Sequence, residues 1–207
     1  MADNVMVADD GVDHSRRKFL TNATIATGAV GAAFVAVPFI ESWTPSERAR
    51  ALGQPIDVDL SPLEPGQMIT PSPSWRRKPL YIVHRTPNMV EHLKGHDGDL
   101  KDPESSEESQ QPDYAKNSHR SRKEQYLVLV GTCTHLGCLP KQRFEAASAE
   151  MGPTWPGGFF CPCHGSRFDL AGRVFKGSPA SLNLVVPRYE FVNDKTVRIG
   201  VDEKGAA

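Results

Sequence analysis

The sequence predicts a mainly β domain carried behind one N-terminal transmembrane helix, and two observations predict it. Residues 19–40 form a stretch of 22 residues without a charge. As a helix rising ~1.5 Å per residue it spans ~33 Å, enough for a bilayer core. From residue 56 onward, short apolar runs alternate with breaks containing Pro and Gly, the pattern of strands joined by turns. With 207 residues, 39% hydrophobic and a net charge of −1, the chain has room for an ordinary core. Its basic residues are scattered apart from Arg16-Arg17-Lys18, Arg76-Arg77-Lys78 and residues 120–123, so no nucleic-acid partner is expected.

The elements follow in order. Ser15-Arg16-Arg17-Lys18-Phe19-Leu20 is a twin-arginine pattern, an address read by an export machine that carries folded, cofactor-loaded proteins. Arg16, Arg17 and Lys18 place residues 1–14 in the cytoplasm, while the acidic start with Asp3, Asp9, Asp10 and Asp13 weighs little in orientation. Residues 15–40 read as signal and retained anchor. Thr21, Asn22, Thr24 and Thr27 dilute its apolar character, and Gly28 and Ala32 present a small face for packing on a partner helix. Ala49-Arg50-Ala51 offers a cleavage site as the alternative, but beyond the usual reach of such an apolar core. Everything after Glu41 is then outside, in a bacterium the periplasm, where a disulfide persists.

Residues 41–54, with Pro45, Gly53 and four charges, read as a linker. Strands are expected at 56–60, 79–84, 126–130, 182–189 and 196–201, the last two joined by a turn around Asn193-Asp194. Between them, residues 85–125 are strongly polar, and 104–111 contain no apolar residue. This segment reads as a solvated surface insertion with a short helical turn at 89–93 and no fixed order over 95–111.

All four cysteines lie in two short boxes, Cys133-Thr134-His135-Leu136-Gly137-Cys138 and Cys161-Pro162-Cys163-His164-Gly165-Ser166. Four Cys and two His are two ligands more than one tetrahedral zinc needs. They suit two irons held by two thiolates and two imidazoles, with one cysteine pair left to form a disulfide. Replacing two thiolates by neutral imidazoles lowers the negative charge around such a cluster and raises its potential. Oxidised iron also lowers the pKa of bound imidazoles, which couples reduction to protonation.

Both boxes resemble those of Rieske iron-sulfur proteins, and CTHLGC with CPCHGS resembles the Rieske subunits of quinol-cytochrome c reductases. The resemblance extends to Phe159-Phe160, to Phe168-Asp169-Leu170-Ala171-Gly172-Arg173-Val174 and to the N-terminal membrane segment. It implies an antiparallel β-sandwich over residues 55–207, with a cluster-binding part at about 131–181 and residues 41–54 as a hinge. By position it assigns Cys133 and Cys161 to the inner iron of one [2Fe-2S] cluster, His135 and His164 to the outer iron, and Cys138 and Cys163 to a disulfide. Ser166 is then a donor to a bridging sulfide, and Leu136 a cover over the cluster tip or, in the bland reading, an ordinary core contact. The chain departs from many respiratory relatives at Phe168, where a tyrosine hydroxyl often reaches a cysteine sulfur, and this implies a lower potential. Gly177-Ser178-Pro179-Ala180 resembles the loop that shields the cluster from a third side, with Ser181 where a second proline is common.

The function implied is electron transfer within a bc1-type reductase. His164 meets the quinol on a cytochrome b partner, takes an electron with its proton, and the head swings to deliver the electron to cytochrome c1. Membrane lipid contact and a dimeric complex follow from the same resemblance. The alternatives are the Rieske small subunit of a periplasmic molybdenum oxidase of the arsenite-oxidase type, a soluble ferredoxin or ring-oxygenase entry domain, and a zinc module.

Overall fold

The structure, a computed structural model, describes residues 11, 13–72 and 74–206, the last of these in its backbone only. The expected segment 1–14, with Asp3, Asp9 and Asp10, lies outside the described residues save for Gly11, Asp13 and His14. The chain divides into two units, residues 1–50 and 51–207.

In the first unit, helix α1 (His14–Glu41) begins five residues before the apolar stretch. Asp13 starts it by accepting the Ser15 and Arg16 N–H groups at 2.9 and 3.1 Å, two donors that the first turn leaves without helical partners. The hydroxyls of Thr21, Thr24 and Thr27 donate to the carbonyls of Arg17, Leu20 and Ala23, so the polar groups that dilute the stretch are satisfied within the helix. None of its residues is buried, and at 28 residues it is long and apolar enough to cross a membrane. The linker contains an unexpected element, α2 (Glu47–Leu52), started by Ser46 accepting from Ala49 and braced by an Arg50–Glu47 pair at 2.7 Å. Six residues are too few to show a helical period in sequence.

The second unit is built from antiparallel sheets. One has the order β1 (Ile56–Asp59), β9 (Thr196–Ile199), β8 (Tyr189–Asn193), and another the order β2 (Met68–Ile69), β3 (Leu80–His84), β4 (Tyr126–Val130). Alternate residues of β9 point inward, Val197 and Ile199, and pair across β1 with Val58 and Ile56. Strands β3 and β4 are apolar on both faces because Leu80, Ile82, Leu127 and Leu129 join one continuous core with Val58, Tyr189 and Val197. A smaller sheet, β5 (Lys141–Arg143), β6 (Gly158–Phe160), β7 (Arg167–Asp169), carries the second cysteine box on its β6–β7 connection. A last hairpin, β10 (Val201–Asp202) with β11 (Gly205–Ala206), lies near the C-terminus.

Two expectations need correction. The strand expected at 182–189 is not one: its amides at Leu184 and Val186 donate to Gly172 and Gln110, and its Val185 carbonyl accepts from Val130, three different partners instead of one ladder. Pro187 has no N–H to continue a ladder, and the strand begins only at Tyr189. Period alone could not separate a buried irregular segment from a buried strand.

The insertion is also not a solvated excursion. It forms α3 (Pro87–Glu91) and three short 3-10 turns, and buries Leu93, Leu100, Ala115 and the guanidinium groups of Arg85 and Arg120. Arg85 donates to the carbonyls of Glu124, His119 and Leu170 and to the Ser121 hydroxyl, and Arg120 donates to those of Ala171, Gly172 and Gln110 and to Gln111 Oε1. Burial pulls both guanidinium groups down to about 10, still charged at neutral pH. Polar composition was misleading because these groups replace water inside the fold: each long donor neutralises loop carbonyls that have no strand to pair with.

Candidate metal centre

The two cysteine boxes fold into the same loop. Cys133 donates its N–H to the Cys138 carbonyl at 2.7 Å and accepts from Gly137 at 3.0 Å; Cys161 donates to the Ser166 carbonyl at 2.8 Å and accepts from Gly165 at 3.0 Å. Gly137 and Gly165, fifth in each loop, have φ of 83° and 78°, a left-handed conformation that side chains resist. Equivalent first positions bury Cys133 and Cys161, 3% and 1% exposed, with free thiols. The histidines are not equivalent: His135 is third in its loop and half-buried, His164 fourth and exposed. A Cys138–Cys163 disulfide with a Cα separation of 6.6 Å joins the sixth position of the first loop to the third of the second. Closing a sequence separation of 25 stabilises by roughly 3 to 4 kcal/mol on chain-entropy grounds.

The free Cys133 and Cys161 thiols face each other, the Cys161 sulfur lies within 4.8 Å of both sulfurs of the disulfide, and the rings of His135 and His164 meet edge to face with centroids 4.7 Å apart. Burial pushes the Cys133 thiol up, the His135 N–H draws it down, and the facing Cys161 thiol pushes it up again, with a raised pKa as the result. Such a thiol stays protonated until a cation takes the place of the proton. His135 Nδ1 is buried without a hydrogen-bond partner. An orphaned ring nitrogen carries a free-energy penalty unless something binds it. Two buried free thiols, that nitrogen and the exposed His164 ring fit two thiolates and two imidazoles about an iron pair.

The surroundings shape this tip. Ser166 is fully buried, and its Oγ accepts the Ala180 N–H at 3.0 Å, which joins the second box to the loop of Pro179. Thr134 donates to the Leu182 carbonyl at 2.6 Å and fastens the first box to the same segment. Leu136 is 71% exposed and Leu139 54%, so the bland reading of Leu136 as an ordinary core contact is corrected: it stands at the apolar rim of the tip. Phe168 is fully buried on β7 opposite Phe159, whose ring stacks on Tyr81 at 6.0 Å. Tyr81 donates its hydroxyl to the Pro140 carbonyl at 2.9 Å, and burial, then the nearby Cys161, raise its pKa. Gly131 is required beside it, since a Cβ there would lie 2.5 Å from the Tyr81 ring.

Sequence reasoning missed the group beneath the second box. Asp169, fully buried, accepts the N–H groups of Ala171 and Arg173 and the Arg173 Nε at 2.7 Å, and faces His96 Nε2 at 3.3 Å. Arg173 continues to Asp97 and to the carbonyls of Leu93 and Pro103, all in the insertion. The signal available was an Asp and an Arg four residues apart inside an otherwise apolar run.

Residues 110–190 match the Rieske [2Fe-2S] domain family, and residues 6–46 match the family described as Ubiquitinol-cytochrome C reductase Fe-S subunit TAT signal. The chain is 52% identical over 95% of its length to the ubiquinol-cytochrome c reductase iron-sulfur subunit of Allochromatium vinosum, covering 93% of that protein. It is 44% identical over 94% of its length to the subunit of the same name from Blastochloris viridis, covering 98% of it. The chain belongs to this family of Rieske iron-sulfur subunits. A solved structure titled Hyperthermophilic respiratory Complex III is 24% identical, with a TM-score of 0.44 over 86% of this chain and 98% of that one. As a Rieske subunit the chain carries a [2Fe-2S] cluster, and the zinc, oxygenase and molybdenum-oxidase readings give way to the relationship over 95% of its length.

Proposed function

We propose that this chain is the electron-transfer subunit of a membrane quinol-cytochrome c reductase of the bc1 type. It takes one electron and a proton from quinol at a cytochrome b partner and passes the electron to cytochrome c1. The observation that carries the reading is the asymmetry of the two histidines: His164 stands exposed where a substrate can reach it, beside a His135 whose Nδ1 is buried and unsatisfied.

In this reading Cys133 and Cys161 hold the inner iron, and His135 and His164 hold the outer one through ring nitrogens. When bound, the cluster supplies a one-electron acceptor whose potential mixed ligation raises. The chain's own residues do the rest. His164, exposed at the tip, would offer the ring nitrogen not on iron to the quinol hydroxyl and take up its proton, the role of a general base. Leu136 and Pro179 cover the approach with apolar surface, and Ser166 supplies a hydroxyl donor that favours the reduced form. Residues 15–40 anchor the chain in the inner membrane with lipid around α1, residues 41–54 act as hinge, and residues 55–207 form a periplasmic head carrying the cluster-binding part at 131–181. Assembly as a dimeric complex completes the proposal.

Electron paramagnetic resonance on ascorbate-reduced membranes is expected to show a rhombic [2Fe-2S] signal with nitrogen coupling, and the chain is expected to purify with b- and c-type haem. Four sulfur donors and no nitrogen would end the ligand assignment, and purification free of haem would end the assembly. Phe168→Tyr adds a hydroxyl inside the buried wall beside the second box and is expected to raise the potential in a redox titration, because a donor to sulfur stabilises the reduced form. No rise would remove Phe168 as the cause of a low potential.

A further inference from the structure

The insertion grips the chain just before the Pro179 loop through one isolated antiparallel bridge. Lys101 donates its backbone N–H to the Val174 carbonyl at 3.0 Å, Lys176 donates to Asp99 at 2.7 Å, and Leu100 faces Phe175 in an antiparallel bridge. From this fixed backbone the Lys101 ammonium reaches the carbonyls of Ser178 and Ala180, each at 2.8 Å. The two carbonyls bracket Pro179, which has no N–H with which to hold the loop. The Ala180 N–H beside them is the donor that meets Ser166 Oγ. A hydroxyl has one proton and two lone pairs, so a lone pair engaged by Ala180 restricts where the Ser166 proton points.

We propose that Lys101 is a positioning residue of the metal centre: by clamping the Ser178 and Ala180 carbonyls it holds the Ala180 N–H on Ser166 and so orients the Ser166 hydroxyl toward the sulfur atoms. This rests on the reading of Ser166 as a donor to the cluster. It gives the polar insertion a role, since the clamp comes from residues 99–101 and acts on a loop that has no strand pairing of its own. A lysine suits the task because a charged donor makes stronger bonds to carbonyls than a neutral one.

The test uses the purified complex with its full-length subunit. Lys101→Met is expected to speed amide exchange at Ala180 about tenfold and to lower the reduced-to-oxidised ratio at a fixed potential about threefold, the scale of one weakened hydrogen bond. Lys101→Arg is expected to restore both. In a Ser166→Ala background the potential shift from Lys101→Met is expected to vanish, as for residues acting in series. Unchanged Ala180 exchange overturns the clamp. A shift of the same size in the Ser166→Ala background overturns the action through Ser166 and marks a direct charge effect instead. Should Ser166→Ala alone leave the potential unmoved while Lys101→Met speeds exchange, the reading of Ser166 fails and the clamp survives as a purely structural bond.

Discussion

Substituting His164 by Ala is expected to abolish the [2Fe-2S] signal and quinol oxidation together, while leaving the head domain folded. The ring is exposed, so its removal opens no cavity and leaves no buried partner unsatisfied. The loop that carries it is held independently by the Cys161–Ser166 backbone bond, by Gly165 and by the Cys163 disulfide. What is lost is one of two nitrogen donors, and an outer iron left with His135 as its one protein ligand is expected not to be retained through purification. Acid-labile sulfide, electron paramagnetic resonance and the thermal transition of the apo chain measure the three consequences separately. Retained turnover would show that His164 is not a ligand.

Asp169→Ala carries the largest expected effect on stability. Its carboxylate holds the Nε of an Arg173 that is itself 1% exposed, and both groups tie the insertion to the turn after β7. Removing Asp169 leaves the buried Arg173 only the exposed Asp97 and the Leu93 and Pro103 carbonyls, and breaking a buried pair costs about 3–5 kcal/mol, here toward the lower end. A midpoint about 10 °C lower follows at the ~2–4 °C per kcal/mol that domains of this size show. Burial alone would raise the Asp169 carboxyl, but the His96 and Arg173 hydrogen bonds and the Arg173 charge outweigh it and hold the carboxyl below the ordinary value of 3.8. A depressed carboxylate stabilises the fold above its unfolded pKa and loses that contribution as pH falls through the lower folded value. The wild type is therefore expected to lose stability below about pH 4 more steeply than Asp169→Ala, which denaturant titrations across that range would measure. Parallel acid profiles would show that the pair contributes nothing.

The parts of the centre legible in sequence were those whose chemistry is local. Four Cys and two His in two short boxes announce a mixed sulfur and nitrogen site by residue type and number, and the resemblance to Rieske boxes singles out Cys133, His135, Cys161 and His164. Helix α1 was legible from its uncharged, membrane-spanning length, and strands β1, β3, β4 and β9 because each buries apolar residues with a clear period or length. The insertion was not: its polar residues read as solvated because sequence does not say that Arg85, Arg120 and Arg173 turn inward to carbonyls up to 85 positions away. Residues 182–189 failed for the converse reason, since apolar burial without a ladder looks like a strand.

By itself, the sequence determined the two cysteine boxes, the export address, the membrane-length helix and the mainly β character of the head, because these depend on side-chain type and short-range periodicity. Only the tertiary structure decided that the two boxes are one loop used twice, with a glycine in the same left-handed position. It also decided that His135 is buried where His164 is exposed, and that the polar insertion is the scaffold beneath the second box. The physical reason is that buried backbone carbonyls must find donors, and which donor reaches them depends on how distant segments of chain pack, not on any neighbour in sequence.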